Sequence, residues 1–324
     1  MLFGCCKDNS KDLSLSGVGL SQPFLDIVIP EYSEETDMKI SYNIASSGMA
    51  VNLLQDYTLD FISIISLINK ENFKKELVSI PVGIDAIVVL YNIDDSVQEL
   101  KLDASLISRI YTGRISYWND PDLVALNPSL KQVGKLPIIP FFRAETSGSS
   151  FLFSSYLNAF DLLWNKEMGV GRSLQWKTGI GVVGNENLIN SVKKTKGAIG
   201  YGGFLQAMEE EANIAFVKNL AGYFTWPNHN AMASALGEIQ DEQILGVVST
   251  DTQAYPLTAF LWISLYKNQN YNNRSVHKKE ALVKFLKYLV SPQVQRKAGA
   301  IGYLPLPEEI QEKSIEIANE IVYE

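Results

Sequence analysis

Apolar runs of strand length alternate along this chain with segments whose apolar residues recur at helical spacing. The longest runs, around Ile84–Leu90 and Thr258–Tyr266, are continuous and β-like, as in buried strands. The pattern predicts strands at Leu13–Val18, Lys39–Asn43, Leu59–Ile64, Val78–Asn92, Leu136–Phe142, Gly197–Tyr201 and Pro256–Tyr266. It predicts helices at Pro23–Glu35, Gly48–Gln55, Ser105–Tyr111, Ser150–Phe160, Glu186–Lys194 and Lys278–Val290. The alternation indicates an α/β fold with mostly parallel sheets.

Three short turns rich in glycine or serine occupy the same position in this pattern, after a strand and before a helix. They are Gly17–Pro23, Ala45–Gly48 and Arg143–Ser150. In open α/β sheets, ligands bind beyond the carboxyl ends of strands, at helix N-termini whose unpaired N–H groups attract anions. Each turn alone is also typical of an ordinary tight turn or a serine N-cap. Their conjunction favours an anion site.

The third turn, Arg143–Ser150, has the largest number of groups that can bind an anion. Arg143 supplies a guanidinium, Ser147 and Ser149 supply hydroxyls, and Gly148 lets backbone approach closely. The apolar run before it ends where a helical pattern starts, so these groups are expected at a helix N-terminus. This set of donors suits a tetrahedral oxyanion.

Length and charge narrow the class of protein. The 324 residues suggest about two domains, and 46% apolar with 20% charged residues is typical of a globular chain. A net charge of −8 argues against a nucleic-acid partner, which needs a basic face, but not against a small anion bound by local donors. No apolar run reaches the roughly 18 residues that a membrane span requires.

Cysteine and histidine usage gives no sign of a metal or cofactor. Cys5 and Cys6 are adjacent and are the chain's only cysteines, so they provide neither a disulfide framework nor a set of metal ligands. His229 and His277 lie far apart among polar residues. Residues 1–12 are predicted to be a tail. The segment ending at Cys5 matches the end of a bacterial lipoprotein signal without its preceding regions, so it is either the remnant of a lipid anchor or an accidental match.

An enzyme is a third class to weigh against a receptor and an interaction protein. Ser191–Lys194 matches Ser-x-x-Lys and Lys177–Gly179 matches Lys-Thr-Gly, a pair found in serine acyl-transferases. Their order is reversed here, and the Ser-Asp-Asn element is missing. We therefore predict no catalytic residues.

The three turns and two further segments resemble the phosphate-binding substrate-binding proteins of the phosphate-specific ABC transporter. Gly17–Pro23 is similar to that family's Gly-Ala-Gly-Ala-Thr-Phe-Pro loop, Ala45–Gly48 to its Gly-Ser-Ser-Gly turn, and Arg143–Ser149 to its Arg-x-Asp-Gly-Ser-Gly-Thr loop. Tyr111–Pro121 and Gly197–Tyr201 match two other family segments. The resemblance extends from about residue 15 to about residue 304.

The resemblance implies a periplasmic-binding-protein-like fold of two lobes, each a mostly parallel sheet flanked by helices, joined by two hinge crossings. One lobe would comprise residues 13–82 plus 257–324, and the other residues 83–256. The implied function is non-catalytic binding of inorganic phosphate in the cleft between the lobes, for uptake by an ABC transporter. The implied setting is extracytoplasmic, with the chain a monomer and a transporter permease as its partner.

The family's ligand-binding roles carry over to matching positions. The implied ligand residues are Ser21, Gln22, Ser46, Arg143, Ser147, Gly148 and Ser149, with Glu145 and Ser47 supporting them. Three positions depart from the family. Ile65 stands where the family has an aspartate that accepts the phosphate proton, Glu145 replaces a second aspartate, and Gln22 replaces a phenylalanine. Glu145 is expected to orient Arg143, and its extra methylene also gives it the reach to contact the ligand.

These departures leave alternatives to phosphate. An aspartate in a dry site favours protonated phosphate over sulfate, and Ile65 cannot do this. The chain could therefore bind another oxyanion such as sulfate, or act without a ligand as an adhesion or signalling module.

Overall fold

The structure is a computed structural model that describes residues 11–69, 71, 73–94, 96–236 and 249–324. Cys5 and Cys6 lie outside these residues. The chain forms two compact units, the first running to Ile84 and again from Phe260, and the second from Asp85 to Ala259. The chain passes from unit 1 to unit 2 within one strand and returns within another.

Unit 1 is a sheet flanked by helices. Its strands are β1 (Leu13–Gly17), β2 (Ile40–Ile44), β3 (Phe61–Ile64), the first part of β4 (Leu77–Tyr91) and most of β12 (Thr258–Tyr266). Its helices are α1 (Gln22–Thr36), α2 (Ser47–Gln55), α10 (Val276–Leu289), α11 (Pro292–Ala300) and α12 (Glu308–Asn319). The strand order is β2-β1-β3-β12-β4, with β1 parallel to β2 and β3 and with β12 antiparallel to β3.

Unit 2 contains a larger sheet and a small one. Its strands are the rest of β4, β5 (Lys101–Leu102), β6 (Ile139–Arg143), β7 (Ile180–Val182), β8 (Ala198–Gly203), β9 (Asn213–Ile214), β10 (Phe216–Lys218) and β11 (Phe224–Thr225). Its helices are α3 (Ala104–Tyr111), α4 (Pro121–Leu126), α5 (Gly148–Phe160), α6 (Leu162–Glu167), α7 (Asn185–Lys194), α8 (Phe204–Glu209) and α9 (His229–Ala235). The larger sheet has the order β4-β8-β6-β7, with β6 parallel to β7 and β8.

The α/β class predicted from the sequence is confirmed, and the apolar runs explain the strands. Every residue of β12 is buried, and so is all but one residue of β4, because both faces of these strands are covered. These two strands run antiparallel to β3 and to β8, respectively, so the sheets mix parallel and antiparallel pairs. Within the described residues, no helix is long and apolar enough to cross a membrane.

The parallel strands bring the predicted turns to sheet edges. In unit 1, β1, β2 and β3 end at Gly17, Ile44 and Ile64 along one edge, because parallel strands point the same way. In unit 2, β6 ends at Arg143 and its parallel neighbour β7 ends at Val182. Each unit therefore gathers its own set of candidate residues at one edge.

A glycine that shapes the same sheet of unit 2 offers a stability test. Gly197 has φ +84° just before β8, and a Cβ there would overlap the carbonyl oxygen of Pro137. We expect Gly197→Ala to cost about 3 kcal/mol or more, from left-handed backbone strain plus this backbone clash. Gly134 is the matched control, because its φ is +70° and a Cβ there would meet nothing within 4 Å. We expect Gly134→Ala to cost only about 1 kcal/mol.

Urea unfolding of both variants measures these costs. Equal losses of unfolding free energy for Gly197→Ala and Gly134→Ala would contradict the clash, because both positions share the backbone strain.

Candidate functional site

Arg143 is the last residue of β6, and its side chain is only 9% exposed. Its backbone N–H donates to the Tyr201 hydroxyl at 3.1 Å, which fixes the strand end against β8. Its guanidinium donates to Oε1 of Glu145 through Nε, at 2.7 Å, and through Nη2. A buried guanidinium needs a nearby negative charge, and Glu145 provides one.

Glu145 connects two turns at this edge of unit 2. The same Oε1 that accepts from Arg143 also accepts the backbone N–H of Gly184 at 3.0 Å. Gly184 precedes α7 and follows β7, so the carboxylate links the turns after β6 and β7. The second carboxylate oxygen, Oε2, is buried and makes no hydrogen bond. Glu145 therefore orients Arg143, as expected from the sequence, with half of its accepting capacity unused.

The N-terminus of α5 follows directly. Ser147 is its N-cap, and its Oγ accepts the N–H of Ser149 at 3.1 Å. The backbone N–H of Ser147 donates to the Arg172 carbonyl at 2.8 Å. Gly148 begins the helix, and the predicted ligand residues Ser147, Gly148 and Ser149 are all buried. The Ser147 cap thus occupies the N–H of Ser149, which is one of the implied ligand residues. The start of α5 keeps its partial positive charge.

Two residues near this helix start were not predicted from the sequence. The Tyr201 hydroxyl lies 2.7 Å from the Ser150 hydroxyl, and burial raises the pKa of Tyr201 to about 12, so it stays protonated. The Arg172 guanidinium lies 5.4 Å from the Phe151 ring centroid, and burial lowers its pKa. Tyr201 belongs to Gly197–Tyr201, which resembles a family segment, whereas nothing in the sequence distinguished Arg172.

In unit 1, Ser21 lies against Gly17, the last residue of β1. A Cβ on Gly17 would come within 2.9 Å of the Ser63 Cβ and 3.1 Å of the Ser21 Oγ, so only glycine fits here. Both the N–H and the hydroxyl of Ser21 donate to the Val18 carbonyl, at 3.0 and 2.8 Å. The family resemblance implied that Ser21 is a ligand residue, and here the turn itself uses both of its donors.

The other candidates in unit 1 lie at the starts of α1 and α2. Gln22 is the first residue of α1, and its N–H donates to the Gly19 carbonyl. Ser46 is the N-cap of α2, and its Oγ accepts the Met49 N–H at 3.2 Å, which leaves its proton to donate elsewhere. Ser47 begins α2 and is buried. These helix starts are organised as N-caps, with neutral side chains.

Ile65 follows β3 and is only 1% exposed. Its apolar side chain can neither accept nor donate a hydrogen bond. The Tyr42 ring lies against Gly17, and burial raises the pKa of Tyr42 to about 12, so Tyr42 carries no charge. The candidate residues of unit 1 are thus all uncharged.

Three observations bear on the metal and serine acyl-transferase alternatives in the part of the chain that the structure describes. No group of three or more histidine, cysteine, aspartate or glutamate side chains there could hold a metal ion. The Ser191 hydroxyl donates to the Asn187 carbonyl one turn earlier in α7, at 2.7 Å. Lys177 pairs with Glu167. Ser191 of the Ser-x-x-Lys motif and Lys177 of the Lys-Thr-Gly motif are thus each engaged in local structural contacts.

Comparisons with known proteins agree with this architecture. The PBP superfamily domain matches residues 7–293. The chain is 31% identical over 306 residues to the phosphate-binding protein PstS of Haemophilus influenzae, covering 92% of this chain and 90% of that protein.

Solved structures of phosphate-binding proteins share the fold, and two of them illustrate the similarity. One is a high-affinity periplasmic phosphate-binding protein, PfluDING, with bound phosphate, at a TM-score of 0.71 and 16% identity, covering 97% of this chain and 99% of that one. The other is an ABC-type phosphate transport receptor from Vibrio cholerae, at a TM-score of 0.59 and 16% identity, covering 91% and 100%. The chain therefore belongs to the PBP superfamily and, within it, to the family of the phosphate-binding proteins PstS.

Proposed function

We propose that this protein binds inorganic phosphate without catalysis and delivers it to an ABC transporter. The observation that carries the proposal is the buried Arg143, oriented by Glu145 beside the start of α5. Its relatives are named as phosphate-binding proteins, and one structure with the same fold holds phosphate. The proposal extends that ligand to this chain.

The electrostatics of unit 2 support an anion as the ligand. Arg143 and Glu145 together carry no net charge, and the start of α5 adds a partial positive charge beside them. A helix N-terminus next to a buried guanidinium is a favourable place for an anion. Phosphate would supply the negative charge and accept hydrogen bonds from the guanidinium and the helix start.

We further propose that Ser21, Gln22 and Ser46 of unit 1 bind phosphate. They are uncharged, so they would add hydrogen bonds without repelling a dianion. Ser46 has its hydroxyl proton available as it stands. Ser21 would have to turn its hydroxyl away from the Val18 carbonyl to donate.

Thermal unfolding in the presence of phosphate tests the function directly. A ligand that binds only the folded state adds about 2.7 kcal/mol of stability at a hundred times its Kd. We expect phosphate at that excess to raise Tm by about 5 °C. Chloride at equal ionic strength is the control and should leave Tm unchanged. A Tm that does not respond to millimolar phosphate would contradict the proposed function.

A second candidate function follows from Ile65. The loss of the family's aspartate favours a relative that binds another oxyanion, or one that acts in adhesion or signalling without a ligand. Calorimetric titrations with phosphate, sulfate and arsenate separate these functions, since a ligand-blind protein would give no heat with any of them.

The proposed function also implies a cellular location and a partner. We propose that the protein is an extracytoplasmic monomer that docks on a transporter permease. One solved structure with this fold is described as periplasmic. A lipid anchor at Cys5, which lies outside the described residues, would hold the protein at the membrane surface.

A further inference from the structure

We propose that Glu145 accepts the proton of bound hydrogen phosphate through Oε2, and that this contact makes the site prefer phosphate to sulfate. The inference rests on the proposed function and names the residue that sets its specificity. Glu145, in the turn after β6, would accept the phosphate proton, which the apolar Ile65 cannot do.

The hydrogen bonds of Glu145 are distributed unequally between its two oxygens. Oε1 accepts three N–H groups, from Nε and Nη2 of Arg143 and from the backbone of Gly184. Oε2 accepts none, although it is buried away from water. A buried carboxylate oxygen without a donor is incomplete, because burial removes the water that would otherwise bind it.

Hydrogen phosphate has the group that this oxygen lacks. At neutral pH phosphate keeps at least one proton, so its P–O–H can donate to Oε2 while its other oxygens accept from Arg143 and the start of α5. Sulfate has no proton to give. It would place an anionic oxygen against the carboxylate, and the repulsion would weaken its binding.

The other candidate residues cannot make this distinction. Ser21, Gln22 and Ser46 are neutral, and hydroxyl and amide groups can turn to suit either anion. Ile65 is apolar and buried. Glu145 is the one carboxylate among the candidate site residues, and it already lies on the guanidinium that would bind the ligand.

The test compares phosphate and sulfate binding by isothermal titration calorimetry at pH 7.5. We expect the parent protein to bind phosphate at least a hundredfold more tightly than sulfate. In Glu145→Gln, an amide replaces the carboxylate and its N–H₂ can donate to sulfate. We expect the phosphate-to-sulfate affinity ratio to fall at least tenfold, which corresponds to ~1.4 kcal/mol.

The ratio separates ligand contact from mere positioning. If Glu145 only oriented Arg143, its loss would weaken both anions alike and leave the ratio unchanged, which would overturn the inference. Glu167→Gln is the matched control, because it also removes a carboxylate paired with an arginine, Arg114, in the same unit. Its ratio should equal that of the parent.

The parent protein alone also tests the inference, so a Glu145→Gln variant that fails to fold does not leave it open. If the parent binds phosphate and sulfate equally, the inference is wrong while the proposed function as an oxyanion receptor stands. If the parent binds neither anion, the proposed function itself is wrong.

Discussion

Arg143→Ala is expected to lower phosphate affinity by a factor of about 10²–10⁴. Hydrogen bonds to a charged partner contribute about 1.5–3 kcal/mol each, and the guanidinium has enough N–H groups beyond the two that bind Glu145 to donate at least two of them to an oxyanion. The substitution also leaves the Glu145 carboxylate beside the ligand without its counter-charge. Calorimetric titration with phosphate measures the loss. An affinity within threefold of the parent would place the binding site elsewhere.

Controls separate this binding effect from unfolding. Arg114→Ala removes a guanidinium of the same unit that pairs with Glu167 at 2.6 Å and is 44% exposed, so phosphate affinity should not change. Arg143→Lys keeps the charge but loses the fork of donors, and we expect an intermediate affinity. Removing Arg143 alone strands a buried carboxylate, which can cost about 3–5 kcal/mol of stability. The double variant Arg143→Ala with Glu145→Gln removes that penalty, and its comparison with Glu145→Gln alone isolates the loss of affinity caused by Arg143.

The long elements of this fold could be predicted from the sequence because their patterns are long enough to recognise. The strand predicted at Pro256–Tyr266 is observed as Thr258–Tyr266, and the helix predicted at Pro23–Glu35 as Gln22–Thr36. Short helices such as α4, α6 and α8 have only six residues each, fewer than two turns, so no helical period is visible. Strands of two residues, such as β5, carry no alternation at all. Tertiary contacts decide such elements.

The chemistry of the candidate site was only partly visible in the sequence. The position of Arg143 at the end of a strand and before a helix followed from the pattern, and the structure has both elements there. The partner of each hydrogen bond could not be predicted from this pattern. Ser21 donates twice to Val18, and the Ser149 N–H is held by the Ser147 cap. These bonds depend on backbone geometry within a single turn, which residue types alone do not specify.

A second large effect is expected from Asp85, the first residue of unit 2, where β4 leaves unit 1. Its side chain is 2% exposed, and burial raises its pKa from 3.8 to about 7, although the backbone N–H groups of Ala86 and Leu205 partly oppose this shift. The Leu205 N–H belongs to the first turn of α8. The Asp85 carboxyl thus links β4 to the start of α8, and its burial makes it difficult to ionise.

The raised pKa makes stability depend on pH in a defined direction. Below pH 3.8 the carboxyl is protonated in both states, and its contribution to folding is fully present. As pH rises towards 7, the unfolded chain ionises while the folded protein holds the proton, so the free energy of unfolding falls. A shift of about three pKa units corresponds to ~4 kcal/mol, lost by the time pH passes 7. Other groups act in the opposite sense, since pairing with Arg114 and Lys177 lowers the pKa of Glu167 to about 2.

Asp85→Asn isolates the contribution of Asp85 to the pH dependence of stability, because the amide does not titrate and all other groups stay the same. Urea unfolding of both proteins between pH 5 and 8 should show the parent losing about 3 kcal/mol relative to the variant. The amide nitrogen cannot accept a backbone N–H, so the variant carries a constant penalty, but that offset does not change with pH. Parallel stability curves for Asp85→Asn and the parent would show that Asp85 ionises normally in the folded protein. A loss of parent stability relative to Asp85→Asn as pH rises would locate a pH-sensitive group at the point where the chain crosses between its two units.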